Sequence, residues 1–196
     1  RYGYVPHYAV KANNDARILA RMREYGFGID CVSGGEVRLA VESGFDPSKI
    51  VFAGVAKTDA EIRYAIQAGI GCFNCESLQE LEIIDSIARS LGRRAPVAFR
   101  INPDIDAHTH KYISTGLEEN KFGISLWAFD ALVELLGKCG NVEYRGLHFH
   151  VGSQITDNSV FKLLCSRATE ICSMFEAAGL RPQNINFGGG LGVYYN

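Results

Sequence analysis

The sequence has no apolar run long enough to cross a membrane, and no secretion signal opens it. Its formal net charge is only -2, because 20 basic residues nearly balance 22 acidic ones. A chain this close to neutral lacks the basic surface that binds nucleic acid or anionic lipid. We therefore expect a cytoplasmic protein without a nucleic-acid or membrane partner.

Closely spaced cysteine pairs are also scarce. Of the six cysteines, only Cys72 and Cys75 lie near each other in the sequence. A zinc ribbon needs a second pair, and disulfide frameworks belong to smaller, loop-rich secreted chains. The pattern predicts reduced, mostly buried thiols and no metal site.

The two ends of the sequence lack features of a complete chain. It begins at Arg1 without a methionine and stops at Asn196, shortly after a glycine cluster that a helix should follow. A hydrophobic content of 47% over 196 residues is enough for one sizeable core. We expect residues 1–196 to form one partial domain.

Seven mostly β-branched apolar runs alternate with six helical patterns. This alternation predicts a parallel sheet covered by helices. The early strands recur about 21 to 25 residues apart, which favours a TIM-type (β/α)8 barrel, here with seven of its eight strands. A doubly wound sheet is the alternative, but the first strand-to-helix turn lacks a dinucleotide-binding glycine fingerprint. The predicted strands are 8–12, 28–32, 50–55, 71–75, 97–102, 146–151 and 185–187.

Two helices are expected to begin with a capping box. Thr58 stands three residues before Glu61, and Ser77 stands three residues before Glu80. In a capping box the first side chain accepts a hydrogen bond from the third helical amide, and the glutamate bonds back to the cap.

Chemically active side chains collect at one end of the predicted strands. In a parallel barrel, the carboxyl ends of the strands form the single catalytic face. The amino ends show no comparable set. The polar positions at or just past the carboxyl ends are Lys11, Asp30, Ser33, Lys57, Glu76, Arg100, Asn102, His150, Ser153 and Gly188 to Gly190.

Lys11 ends the first of these runs, after the apolar alternating stretch from His7 to Val10. The pattern predicts a buried strand with an amine at its carboxyl end. A lysine in a low-dielectric pocket loses its proton more easily, and the neutral amine can attack a carbonyl to form a Schiff base. A lysine that snorkels into solvent is the alternative for an isolated side chain.

Gly188, Gly189 and Gly190 follow the seventh predicted strand. Without Cβ atoms, their backbone N–H groups can approach an anion closely. Barrels often bind phosphate in the loops after strands seven and eight. A plain turn explains the glycines equally well when they are taken alone, but their position favours a phosphate site.

His148 and His150 lie two residues apart, so they share one side of a strand. No third metal ligand with fixed spacing is evident, which argues against zinc. We interpret His148 as a core histidine with satisfied hydrogen bonds. His150, nearer the strand end, could lie flat on an aromatic ring, and Ser153 could donate a hydroxyl to phosphate.

The connection from Pro103 to Gly123 is long for a compact barrel and is rich in charge. A solvated surface loop is one explanation. A lid over a zwitterionic substrate is the other, and the position of the loop on the predicted catalytic face favours it.

Seven segments carry a family signature that covers essentially the whole chain. They closely resemble the diaminopimelate decarboxylase family, in the alanine-racemase-like (fold type III) class of pyridoxal 5'-phosphate (PLP) enzymes. The ornithine and arginine decarboxylase relatives share YAVK and HVGS, whereas HVGSQI and the long fifth segment are more particular to the diaminopimelate branch. The segments are YAVKAN, GIDCVSGGE, FAGVAK, NCES, RINPDIDAHTHKYISTGLEENKFGI, GLHFHVGSQI and NFGGGLGVYY.

The resemblance implies specific roles for residues of this sequence. Lys11 would hold PLP covalently, His150 would stack on its ring, and Ser153 with Gly188 to Gly190 would hold its phosphate. Asp30 and Arg100 match positions near the cofactor, and Lys121 matches a position near a subunit contact. No metal is implied.

The resemblance also implies an activity and a missing part. The activity is decarboxylation of meso-2,6-diaminopimelate to L-lysine and CO2, the last step of lysine biosynthesis, by a cytoplasmic homodimer. Such enzymes carry a second, β-rich domain that lies outside residues 1–196, so we expect the isolated chain to be inactive or nearly so. The alternatives are an ornithine/arginine-type basic amino-acid decarboxylase and a non-catalytic relative that acts as a binding protein.

Overall fold

One parallel sheet organises the computed structural model, which describes residues 3–104 and 122–195. Within these ranges the strands pair in chain order, without the reversal that defines a doubly wound sheet. The predicted partial TIM-type barrel is therefore confirmed. The strands are β1 (His7–Ala9), β2 (Gly28–Cys31), β3 (Ile50–Phe52), β4 (Cys72–Cys75), β5 (Ala95–Arg100), β6 (Val142–His148) and β7 (Asn184–Asn186).

Six helices in the described ranges connect or follow the strands. Most begin at a residue whose side chain accepts a hydrogen bond from a first-turn amide, as Asp15, Ser33 and Asp157 do. None of the described helices is both long and apolar enough to span a bilayer. The helices are α1 (Ala16–Glu24), α2 (Gly34–Glu42), α3 (Asp59–Ala68), α4 (Leu78–Ser90), α5 (Phe129–Lys138) and α6 (Asn158–Ala177).

The two faces of the sheet carry different residues because side chains alternate along a strand. Apolar strand residues such as Ile29, Phe73 and Phe99 pack with Leu81 and Phe175 from the helices in one buried core. The intervening residues face the concave side. Those on the concave face include Asp30, Asn74, Arg100 and His148.

The first strand differs from its prediction. The predicted strand at 8–12 is replaced by β1, and a 3-10 turn over Val10–Ala12 carries Lys11. Among the described strands, β1 pairs with β2 alone, and of residues 7–12 only Val10 is buried. The expectation of a buried strand at 8–12 was wrong because, in the part of the chain that the structure describes, no second strand covers the other edge of β1.

Candidate active site

The predicted site residues gather at one rim of the sheet. All six strand pairings are parallel, so every carboxyl end points the same way. Lys11 follows β1, Asp30 lies on β2, Arg100 ends β5, and His150 follows β6. Gly188 to Gly190 follow β7 at the same rim. The arrangement is the one that a barrel enzyme uses for catalysis.

Two lysines at this rim differ in what their amines contact. Lys57 is buried, and its Nζ donates to the Gly54 carbonyl (2.7 Å), the Asn74 carbonyl (2.9 Å) and Glu80 Oε1 (2.6 Å). An ammonium has three donors, so Lys57 has none left. Lys11 is exposed, and no described residue accepts a hydrogen bond from its amine. Of these two described amines, Lys11 is therefore the one left accessible to an external group.

The exposure of Lys11 corrects one part of the sequence interpretation. We expected a low-dielectric pocket around this amine, and the described residues do not provide one. The available charge partner is Asp30, whose carboxyl interacts electrostatically with Lys11. The local environment therefore offers Lys11 a nearby carboxylate rather than burial.

Asp30 lies on the concave face between the two lysines. Burial raises the pKa of its carboxyl to about 6, the charges of Lys11 and Lys57 oppose that rise, and Glu36 adds to it. Desolvation outweighs the attraction to the two cations. The Asp30 carboxyl is therefore a weaker acid than that of an exposed aspartate.

Arg100 forms a buried ion pair with Glu76. Its Nη1 donates to both carboxylate oxygens, at 2.9 and 3.0 Å, and the two side chains are only 10% and 5% exposed. The two charges neutralise each other in a buried environment, where either charge without a partner would be strongly destabilising. The pair joins β5 to the loop after β4, and Arg100 reaches the rim with its charge already balanced.

His148 is buried as expected, but the hydrogen-bonding capacity of its ring is not fully used. Its Nδ1 has no hydrogen-bond partner among the described residues, and the same holds for the Nδ2 of the buried Asn74. Burial lowers the pKa of His148 well below its usual value, and the nearby charges of Arg100, His150 and Lys57 lower it further. The concave interior of the barrel therefore contains two polar groups without a described partner. One is a nitrogen of the neutral His148 imidazole, and the other is the amide donor of Asn74.

The glycine triplet packs against the loop that follows β6. A Cβ on Gly188 would come within 2.8 Å of His150 Nδ1, and one on Gly190 would collide with the Gly152 carbonyl oxygen at 1.9 Å. Both glycines also have positive φ, which disfavours other residues. Ile155 N donates to the Gly190 carbonyl at 2.8 Å, which ties the two loops together. His150, Ser153 and the triplet thus form one surface.

Gly189 differs from its two neighbours. A Cβ at this position would meet no heavy atom within 4 Å, and its φ is not positive. Neither the close approach of another chain segment nor the local backbone requires glycine there. The space beside Gly189 is what an anion bound by the backbone amides would need.

A second pair of glycines, Gly34 and Gly35, begins α2. The space beside these glycines, at the N-terminus of the helix, is already occupied. Glu61 Oε1 accepts a hydrogen bond from Gly34 N at 2.7 Å, and a Cβ on Gly34 would lie 2.4 Å from Glu61 Cγ. A carboxylate of the chain itself therefore occupies this helix N-terminus. Of the two glycine clusters, the triplet after β7 is the one open to an external phosphate.

Sequence reasoning missed the role of Glu80. Ser77 accepts from Glu80 N as predicted, but the Glu80 carboxylate bonds to the backbone amide of Glu76 (3.1 Å) and to Lys57 instead of completing the capping box. The buried Lys57 is the stronger partner for a carboxylate. The Thr58 and Glu61 box forms as predicted. The sequence did show a lysine, Lys57, in the loop after the third predicted strand. It could not show that Glu80 is the partner of this lysine.

Several expectations lie outside the described residues. Lys121 and most of the proposed lid, residues 105–121, belong to this group. The roles assigned to Lys11, Asp30, Arg100, His150, Ser153 and the three glycines stay predictions, although the fold brings them to one rim.

A curled parallel sheet with an exposed lysine and a glycine triplet at its carboxyl rim is typical of a barrel enzyme that uses a phosphorylated carbonyl cofactor. The model of the pyridoxal-dependent decarboxylase, pyridoxal binding domain matches residues 2–196. The chain belongs to this family, and PLP is therefore its cofactor.

Named relatives confirm the resemblance to diaminopimelate decarboxylases. The chain is 52% identical to a diaminopimelate decarboxylase of Bacteroides thetaiotaomicron over 192 residues, which is 98% of this chain and 50% of the relative. It matches the crystal structure of diaminopimelate decarboxylase from M. jannaschii in complex with L-lysine with a TM-score of 0.90, at 39% identity, covering 98% of this chain and 45% of that chain.

A structure with another specificity is more distant. The arginine decarboxylase of Paramecium bursaria Chlorella virus matches with a TM-score of 0.82 at 28% identity, over 95% of this chain and 48% of that one. The chain spans about half the length of the curated relatives it matches.

Proposed function

We propose that residues 1–196 are the PLP-binding barrel part of a diaminopimelate decarboxylase, which converts meso-2,6-diaminopimelate to L-lysine and CO2. One observation carries the proposal: the unengaged amine of Lys11 lies at the same rim as the open glycine loop against His150. The greater identity to diaminopimelate decarboxylases than to the arginine enzyme supports this substrate.

The residues present fit PLP. Its aldehyde needs an amine, which Lys11 offers, and its phosphate needs a backbone without side chains, which the space at Gly189 offers. His150 and Ser153, on the loop beside the triplet, would complete the cradle for ring and phosphate. Bound PLP supplies an electron sink for the electron pair that remains when the carboxylate leaves as CO2.

The chain contributes positioning and charge to this reaction. Lys11 would hold the cofactor and orient it toward the substrate. Asp30 sets the local charge near Lys11, and the Arg100–Glu76 pair holds the rim rigid without adding net charge. Rigid placement matters because reacting groups must be held in the geometry that the reaction requires.

An assay of CO2 release tests the proposal. The full-length polypeptide, loaded with PLP, is given meso-2,6-diaminopimelate, L-ornithine and L-arginine in parallel. We expect turnover of diaminopimelate and at least about a hundredfold lower kcat/KM for the other two, because a distal amino-acid group needs partners that those substrates leave unpaired. Preference for a basic amino acid would replace the proposed substrate, and PLP binding without any turnover would point to a binding protein.

Gly189→Ala tests the phosphate cradle. The added methyl group should leave the fold intact, since it meets nothing within 4 Å, but it would fill the space proposed for phosphate. We expect PLP and inorganic phosphate to bind about tenfold more weakly or worse, because backbone donors held away from an anion lose most of their effect.

Gly137→Ala is the matched control for this variant. Gly137 lies in α5, and a Cβ there also meets nothing within 4 Å. We expect its PLP affinity to match that of the parent in a fluorescence titration. Equal affinities for the two variants would place the phosphate elsewhere.

We further propose that the full-length protein acts in the cytoplasm as a homodimer. All six cysteines are free, which supports a reducing compartment. The homodimer rests on the resemblance alone. Gel filtration with light scattering on the full-length protein tests it, and a monomer that retains full activity would contradict it.

A further inference from the structure

The loops that follow β6 and β7 contact each other along a line of alternate glycines. The loop after β7 presents Gly188, Gly190 and Gly192, and an added Cβ at each of them would lie less than 3.0 Å from a backbone atom of residues 149–154. Close approach of two backbones is a situation that glycine permits and larger residues do not. We call the contact between these three glycines and residues 149–154 the glycine seam.

Gly192 extends the glycine seam beyond the triplet that the sequence assigned to phosphate. A Cβ on Gly192 would lie 2.7 Å from the carbonyl carbon of Gln154 and 2.9 Å from its carbonyl oxygen. Unlike Gly188 and Gly190, Gly192 does not have a positive φ. Close approach alone, and not backbone conformation, therefore requires glycine at position 192.

Hydrogen bonds close the glycine seam at the same end. Ile155 N donates to the Gly190 carbonyl and Gly192 N donates to the Ile155 carbonyl, both at 2.8 Å. The Gln154 side chain adds two longer bonds: its Oε1 accepts from Val193 N at 3.2 Å, and its Nε2 donates to the Val193 carbonyl at 3.4 Å. Because hydrogen bonds weaken with length, the backbone pairing fixes the spacing of the loops and Gln154 reinforces it.

Gln154 itself has a backbone conformation that residues other than glycine rarely adopt. Its φ is 56°. Such a conformation persists only where the surrounding structure enforces it, and it is concentrated at functional sites. The enforcing contacts here are the two bonds to Val193 and the close approach of Gly192.

The glycine seam flanks both groups that the proposed function assigns to phosphate. Ser153 lies in the first loop, directly before Gln154. Gly189 lies in the second loop, between Gly188 and Gly190. The contacts of the seam therefore set the distance between the backbone at Ser153 and the backbone at Gly189. An anion bound by donors from two loops depends on this distance, because hydrogen bonds tolerate little change in length or angle.

We propose that Gly192 and Gln154 are positioning residues of the candidate phosphate site: they hold the two loops at the separation at which donors from both can bind one phosphate group. Neither is among the residues that the resemblance assigns to the cofactor. The role at a phosphate rests on the proposed function, whereas closure of the glycine seam is a property of this chain without a ligand.

A purely structural role for the glycine seam makes a different prediction. Pyridoxal has the ring and aldehyde of PLP but no phosphate. Loss of stability, or a general disturbance of the rim, would weaken the binding of both compounds. Misplaced phosphate donors would weaken the binding of PLP alone, so the ratio of the two affinities separates the two roles.

Gly192→Ala in the full-length protein is the decisive variant. Its methyl group must part the two loops, so we expect PLP to bind about tenfold more weakly or worse and pyridoxal affinity to change less than about twofold, in equilibrium fluorescence titrations. Gln154→Ala removes only the two longer bonds and should lower PLP affinity by about threefold, again without an effect on pyridoxal. This second variant keeps the test independent of whether Gly192→Ala folds.

Gly71→Ala is the matched control. A Cβ on Gly71 would lie 2.7 Å from the carbonyl carbon of Ser48, the same distance as from Gly192 to that of Gln154, and Gly71 has no positive φ either. Gly71 directly precedes β4, so it lies at the amino rim, away from the candidate site. We expect this variant to be less stable and to keep the parental ratio of affinities. The same change of ratio in Gly71→Ala and Gly192→Ala would overturn the inference.

Hydrogen exchange without any ligand gives the second readout. In Gly192→Ala, the amide of Ile155 should exchange about tenfold faster relative to the amides of β5, because its acceptor across the seam is displaced. In Gly71→Ala this relative rate should stay parental.

The outcomes separate the inference from the proposed function. If the parent binds PLP more tightly than pyridoxal and both Gly192→Ala and Gln154→Ala keep the parental ratio, the inference is overturned and the proposed function stands. Equal losses of PLP and pyridoxal affinity in Gly192→Ala also overturn the inference. A parent protein that binds neither PLP nor inorganic phosphate overturns the proposed function and with it the role at a phosphate, while the exchange rate of Ile155 still reports on closure of the glycine seam.

Discussion

Lys11→Ala is expected to abolish covalent attachment of PLP and to lower kcat by about a thousandfold or more. The reason is that the other lysine described at this rim, Lys57, has all three of its donors bound to acceptors and cannot take over. The measurement is borohydride reduction of the PLP-loaded protein followed by peptide mapping. In the parent protein the label should appear on Lys11.

Lys49→Ala is the matched control for this experiment. Lys49 directly precedes β3, so it lies at the amino rim, opposite the candidate site. We expect parental labelling and parental activity from this variant. Label on any lysine other than Lys11, or covalent PLP in Lys11→Ala, would contradict the assignment of the amine.

Glu76→Ala should have the largest effect on stability. The change leaves the guanidinium of Arg100 buried without the carboxylate that now accepts two hydrogen bonds from it. Breaking a buried pair by removing one partner costs about 3–5 kcal/mol, because the remaining charge is desolvated and unpaired. Urea unfolding of the parent and the variant measures this change in the free energy of unfolding.

Two further variants show whether burial is the cause. Glu134→Ala removes an ion pair to Lys138 that is as short as 2.6 Å but lies on the exposed surface of α5, and we expect no measurable change. Glu76→Leu combined with Arg100→Met should regain most of the lost stability, since an apolar pair needs no compensation. A double variant as unstable as Glu76→Ala would refute this account of the pair.

Local sequence patterns predicted most of the fold because helices and strands depend on short-range periodicity. The apolar runs predicted seven strands in the order that the structure shows, although β1 and β6 begin and end at other residues, and Thr58 with Glu61 marked the start of α3. The pattern failed at the first strand, where pairing on one side only left β1 short and half-exposed. Whether a strand lies at an edge depends on the closure of the sheet, which no local window contains.

The candidate site was predictable as a set of positions but not as a set of contacts. Residues that follow parallel strands must meet at one rim, so Lys11, His150 and the glycine triplet could be grouped from the sequence. The sequence could not show that Gly34 is filled by Glu61 while the space at Gly189 is open. That difference depends on neighbouring loops that are distant in the chain.

By itself, the sequence determined the alternation of strands and helices, the single chemically active rim and the family, because each is encoded in spacing and motif. Only the tertiary structure decided which lysine is available, that Glu80 serves Lys57 instead of its own helix, and that Arg100 is balanced by Glu76. Partners of this kind are set by which strands lie side by side and by how far a side chain reaches between them. The charges at the rim thus acquire their roles only when the sheet has formed.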